Sequence, residues 1–154
     1  MKLGRLAALV AGALAFPATA YAQPEIVSDS GDTAWILTAS AFVLMMTIPG
    51  LGLFYGGLVR AKNVLSVIMH SFVILCTVSL LWAVFGYSLV FGEGTPWLGG
   101  FGNAMLANLA DLRAGTTLPE STFALFQMTF AIITPALVIG AFVERVRFGW
   151  VVAF

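Results

Sequence analysis

The sequence predicts an all-α, polytopic helical membrane protein, and three observations carry that prediction. Apolar residues make up 60 % of the chain against 9 % charged, with a mean hydropathy of +1.01, whereas a soluble domain is about half apolar and a quarter charged. The few charges are gathered at intervals, and the uncharged runs between them are long enough to cross a bilayer. Those runs show no alternation of polar and apolar residues, so a β-barrel is excluded and helices, which bond every backbone group internally, remain. Formal net charge is zero, which excludes a basic nucleic-acid surface and an acidic tail for a basic partner.

Residues 1 to 22 read as a cleaved signal peptide. Lys2 and Arg5 form the positive end, Leu6 to Phe16 the apolar centre, and Ala20-Tyr21-Ala22 the small-x-small cleavage site. The apolar centre is too short to cross a hydrocarbon layer of about 30 Å. Cleavage would leave a mature N-terminus, from Gln23, on the periplasmic side of the inner membrane.

The first span is expected over about 33–59. No charge occurs between Asp32 and Arg60, and the run from Thr33 to Val59 reaches about 40 Å as a helix. Pro49 lacks an N–H and should bend this helix near residues 45 to 49. Gly50, Gly52, Gly56 and Gly57 would each weaken a helix in water by up to about 1 kcal/mol. In lipid the balance changes, because helices associate there through close backbone contact, and Gly52-x-x-x-Gly56 puts two small residues on one face for that purpose. Phe54 and Tyr55 project from the lower half. Neither Gly50-x-Gly52-x-x-x-Gly56 nor Gly92-Glu93-Gly94 has the spacing and companions of a nucleotide-binding loop.

A second span is expected over about 64–91, a third over about 121–143, and a fourth begins about 148. The connection from Gly92 to Glu120 carries Met105, Leu106, Leu109 and Leu112 at helical spacing, with Trp97 and Phe101 upstream, which predicts a short interfacial helix. The last apolar run stops at Phe154, and a half-span cannot satisfy its backbone in lipid, so the expectation is the front of a longer protein. Arg60 and Lys62 follow the first span and Arg145 and Arg147 the third, which places those turns in the cytoplasm by the positive-inside rule.

Cys76 has no second thiol, so no disulfide or Cys-based metal site is available, and it reads as a packed core thiol. His70 stands inside the second span on a face with Asn63, Ser66 and Thr77. Two roles stay open for it: a neutral side chain hydrogen-bonded between helices, or a pH-sensitive group. On the third span Phe123, Gln127, Phe130 and Thr134 share one face, with Phe126 slightly to the side. From the residues alone this is a packing face with two interhelical hydrogen bonds.

Three blocks then match something specific: "MTIPGLGLFYGGLVRAKNVLS" (46–66), "LWAVFGYSLVFGEG" (81–94) and "PALVIGAFVERVRF" (135–148). In this order they closely resemble the first three spans of the ammonium transporter (Amt/Rh) family. The resemblance implies the first three spans and start of a fourth of a roughly eleven-span fold, with the paired pore histidines, a vestibule tryptophan and an aspartate beyond Phe154. It implies a pore for ammonium or ammonia with an aromatic outer vestibule, Phe126 and Gln127 lining it and Phe130 as gate. It also implies that Leu51, Phe54 and Tyr55 line the apolar part of the conduit, although ordinary packing explains these three equally well. A homotrimer in the lipid bilayer, and a PII-type signal protein on the cytoplasmic face near Arg145 and Arg147, are implied in the same way. No enzyme activity, cofactor or metal is expected. An ammonium sensor on the same membrane fold, or a generic helical membrane subunit, are the alternatives.

Overall fold

Asp29 starts the first helix. Its Oδ1 accepts from the backbone N–H groups of Gly31 at 2.6 Å and Asp32 at 3.0 Å, pairing two of the donors that a helix start leaves open. Helix α1 therefore begins at Ser30, three residues earlier than hydropathy alone predicts, and runs to Leu58. The computed structural model describes residues 27–153; the expected signal peptide lies outside them.

Three membrane-length helices follow one another: α1, α2 (Ala61–Phe91) and α3 (Glu120–Ile139). A short helix α4 spans Phe148–Ala153. At 29, 31 and 20 residues the three long helices meet or exceed the ~20 residues that cross a bilayer. Each packs against the other two, and no extended strands form among the described residues.

Pro49 acts on the hydrogen-bond ladder. With no N–H to give the carbonyl four residues back, the chain widens into a π-helical turn over Met46–Leu51. A second π turn, over Trp82–Gly86 in α2, was not legible in advance. Both end near a glycine that sits five residues after a carbonyl that a side chain there would crowd. A Cβ on Gly50 would lie 3.3 Å from the Met45 oxygen, and one on Gly86 would lie 3.2 Å from the Leu81 oxygen. The missing side chain leaves room for the wide turn.

The apolar contacts between the helices centre on Ile74, Ala136 and Ile139, with Leu51, Val78, Val143 and Val151 packed around them. Buried hydroxyls mostly serve their own helix. Ser40 donates to the Ile36 carbonyl, Thr47 to Val43 and Thr129 to Phe126. One interhelical bond of a different kind runs from Trp82 Nε1 to the Ala124 carbonyl at 3.2 Å.

Three expectations need correction. The third helix ends at Ile139, not Val143, and the chain continues through hydrogen-bonded turns to Arg145. Cys76 is exposed on the outside of the bundle, not packed in the core. The interfacial helix in the 92–120 connection is absent: Ala104–Leu106 forms a single 3-10 turn, broken by positive φ at Met105, Leu106 and Asn108. The physical reason is that this segment folds back onto the outer end of α2. Gly99 N–H donates to the Leu89 carbonyl at 2.8 Å, Ser88 Oγ donates to the Gly100 carbonyl at 2.6 Å, and Asn103 N–H donates to Ser88 Oγ at 3.0 Å. Capping the helix satisfies the loop backbone that a separate helix would otherwise have satisfied.

Candidate pore-lining site

The outer half of α3 presents its aromatic residues in sequence. The rings of Phe126 and Phe130, one turn apart, meet edge to face with centroids 5.0 Å apart and planes at 79°. That is the preferred geometry for a pair of ring quadrupoles. Phe130 is exposed, while Phe126 and Gln127 are half-buried. Thr134 donates to the Phe130 carbonyl of its own helix at 2.9 Å, so the interhelical bond expected of it is not made.

Phe123, one turn further out, is not free for a ligand. The Arg113 guanidinium lies 3.6 Å over its centroid and 5.0 Å over that of Phe91, and the two rings meet edge to face at 5.1 Å. Arg113 Nη1 also pairs with Glu120 Oε1 at 3.0 Å, and the same oxygen accepts from the Tyr87 hydroxyl. The outer ends of α2 and α3 are thus joined by a cation held between two rings and fixed by a carboxylate. Arg113 is the one basic residue in the connection between α2 and α3. It reaches Glu120 because the chain turns back through a bridge between Leu112 and Pro119, and spacing alone does not reveal that.

The other half of the predicted set sits towards the opposite end of the bundle. Gly52 and Gly56 are buried, with Ser71 and Ile68 beside the first and Val64 beside the second. These two glycines therefore face α2 at close range, as the small-residue spacing predicts. Gly57 differs: nothing lies within 4 Å of where its side chain would be, so it is no packing residue here. Leu51 packs against the Ile74–Ala136–Ile139 cluster. Tyr55 crosses to α3, donating to the Leu137 carbonyl at 3.1 Å with its ring against Gly140, and exposed Phe54 meets it edge to face at 5.3 Å. Along α3, Phe130 and Leu137 are about 10 Å apart at the rise of an α-helix. Phe126 with Phe130 therefore lies on α3 at one level, and Leu51 with Tyr55 contacts α3 at another.

His70 is 8 % exposed, and its Nε2 has no hydrogen-bond partner among the described residues. Of the two roles left open for His70, the interhelical hydrogen bond is not made through Nε2, and the ring lies 5.4 Å from Phe148 at the start of α4, tilted by 31°. Below it, Glu144 ties the turn after α1 to the turn after α3. Its Oε1 accepts from Asn63 Nδ2 at 2.6 Å, from Arg60 N–H at 3.1 Å and from Arg60 Nε at 3.2 Å. Those hydrogen bonds, the one from Asn63 foremost, hold the carboxyl below its ordinary pKa.

Comparison with known proteins gives this geometry its context. The family model described as Ammonium Transporter Family matches residues 34–154. An ammonium transporter of Bacillus subtilis is 47 % identical over 121 residues, which is 77 % of this chain and 30 % of the relative. One of Mycobacterium tuberculosis is 46 % identical over 141 residues, 80 % of this chain and 29 % of the relative. The crystal structure of Candida albicans Mep2 superposes with a TM-score of 0.70 at 38 % identity, covering 82 % of this chain and 28 % of that one. The chain spans about three tenths of the length of the relatives it matches. With the family model matching residues 34–154, and a solved structure superposing over 82 % of the chain, the chain belongs to the ammonium transporter family.

Proposed function

We propose that the protein carries ammonium across the inner membrane, with the described residues forming the first three spans of the transport domain. The observation that carries this reading is the edge-to-face pair of Phe126 and Phe130 on α3, in a chain of this family. A cation above an aromatic face gains about 0.5–2 kcal/mol, more as water is removed. Phe126 with Gln127 is the recruiting surface. Phe130 is the gate, which blocks hydrated ions and passes a small, weakly hydrated species. Leu51, Phe54 and Tyr55 line the apolar stretch below. A bare charge is costly in hydrocarbon and neutral ammonia is not, so the substrate crosses as ammonia after giving up its proton.

The same reading includes a signal peptide at residues 1–22, a periplasmic mature N-terminus and a homotrimer. It also includes a PII-type regulator meeting the cytoplasmic face near Arg145 and Arg147. The test is uptake of labelled methylammonium by cells that lack other ammonium transporters and carry the gene. Uptake should appear with the native sequence, and Phe130→Ala should change its rate or its selectivity against hydrated ions. Native uptake with an unaltered Phe130→Ala variant would remove the gate role and leave transport standing. No uptake with well-expressed native protein would remove transport itself.

A further inference from the structure

The outer half of α3 is weakly held along its own axis. Pro135 cannot donate to the Ala131 carbonyl, so the hydrogen-bond ladder is interrupted immediately after Phe130. At the other end α3 starts after Pro119 with no side-chain cap, which leaves its first N–H groups without that support. The ring that meets Phe126 is Phe130 of the same helix, so the pair goes where this segment goes. What fixes the segment comes from outside it. Arg113 N–H donates to the Leu118 carbonyl at 2.9 Å and Glu120 N–H to the Asp111 carbonyl at 3.0 Å, and this pairing sets the guanidinium beside the first turn of α3. There it lies over the faces of Phe91 and Phe123 and pairs with Glu120. Behind it Trp82, Tyr87 and Phe91 of α2 form a ring cluster with centroids 5.4–6.3 Å apart, and Trp82 adds its bond to the Ala124 carbonyl. These ties reach α3 at Glu120, Phe123 and Ala124, within the two turns that lead to Phe126 and Gln127.

We propose that Arg113 is a positioning residue for cation capture: its clasp on Phe91, Phe123 and Glu120 fixes the height and tilt of Phe126 at the outer mouth. This role rests on the ammonium reading. Arg113 is no ligand for a cation, being one itself, and its guanidinium is already engaged by two rings and a carboxylate. A cation gains from an aromatic ring only over its face and within about 6 Å of the centroid, so an outer turn free to rock would lower affinity and leave the apolar route inward unaltered. Loss of capture alone raises the half-saturating concentration and spares the maximal rate. Arginine suits the task better than lysine, because one planar group stacks on a ring and pairs with a carboxylate at once.

The test combines uptake with hydrogen exchange on the protein expressed from its own gene. Arg113→Met keeps an apolar stem and removes the charge. The whole ring–cation contact is worth about two- to thirtyfold in affinity, so this variant should raise the half-saturating methylammonium concentration by about three- to tenfold. Its maximal rate should stay within about twofold of native. In a Phe126→Ala background the same substitution should add no further rise. In the purified protein, backbone amides of residues 123–130 should exchange about fivefold faster, with α1 unaffected. Arg113→Lys should fall between native and Arg113→Met on both measures. Should Arg113→Met fail to fold, Phe91→Leu, which removes one ring face of the clasp from the neighbouring helix, carries the test with a rise of about twofold. An equal rise in both backgrounds, a fall in maximal rate at unchanged half-saturation, or unaltered exchange over 123–130 would each overturn the proposal. No uptake by well-expressed native protein, with exchange accelerated as expected in Arg113→Met, would instead remove the ammonium reading and leave the hold of Arg113 on α3 standing.

Discussion

Gly140→Ala tests how α1 and α3 are joined. Gly140 lies in ordinary right-handed backbone, with φ −51° and ψ −28°, so alanine is acceptable to the main chain and any cost must come from what the new methyl meets. It meets Tyr55. An ideal Cβ would sit 2.6 Å from the Tyr55 hydroxyl oxygen and closer still to two ring carbons, well inside van der Waals contact. The ring can swing away about its own torsions, so the penalty is what it leaves behind: the bond to the Leu137 carbonyl and the edge contact with Phe54. An interhelical hydrogen bond in a membrane protein averages about 0.6 kcal/mol and reaches about 1.7. An aromatic pair adds about 0.5–1.5 kcal/mol, so the expected loss is about 1–3 kcal/mol. Unfolding of the purified protein by SDS in mixed micelles, followed by helical circular dichroism, measures it. Gly57→Ala, with open space around it, is the control and should stay within about 0.5 kcal/mol of the parent. A double-mutant cycle isolates the contact: in a Tyr55→Leu background, Gly140→Ala should cost little. Equal losses in both backgrounds, or no loss in either, would refute the reasoning.

Two further outcomes follow from the ends of the bundle. Because hydrogen bonds depress the Glu144 carboxyl in the folded protein, its contribution to stability is complete above the ordinary carboxylate pKa and is lost as pH falls through the lowered folded value. Protease cleavage at the Arg60–Asn63 turn should therefore rise on acidification, and Asn63→Ala should move that rise to higher pH; the same acid profile in both proteins would contradict the assignment. Ser88→Ala leaves the Gly100 carbonyl and the Asn103 N–H without their partner, a loss of about 1–3 kcal/mol for buried polar groups. Hydrogen exchange should speed up across residues 92–103 while α1 is unaffected, and a global change instead would show that the loop is no separate cap.

The spans were legible because lipid allows so few solutions. Once charges are cleared from a long run, only a helix satisfies its backbone, and the runs framed by Asp32, Arg60, Glu93 and Glu120 had to become α1, α2 and α3. The glycine pair at Gly52 and Gly56 was legible for a related reason, since small residues four apart make a helix contact in a bilayer. Elsewhere the same reasoning had nothing to grip. The leucines after Trp97 repeat at helical spacing, yet Ser88 and Gly99 capture the loop as a cap for α2, and local periodicity does not register a partner ten or more residues away. Cys76 is as apolar as its neighbours, so hydropathy gives no sign of which side of the bundle it faces.

In the candidate site, Phe126 and Phe130 were found through their spacing on one helix together with the family resemblance. Arg113, Gly140 and Glu144 were not found at all, because each acts on a residue of another segment: Phe91, Tyr55 and Asn63. The sequence by itself determined that this chain is a set of membrane-crossing helices, which way their basic turns are expected to face and which family they belong to, since burial in lipid acts on each segment separately. Only the tertiary structure decided which arginine closes the outer end, which glycine receives the tyrosine and which carboxylate ties the turns, because those depend on how far apart in space residues distant in the chain come to rest.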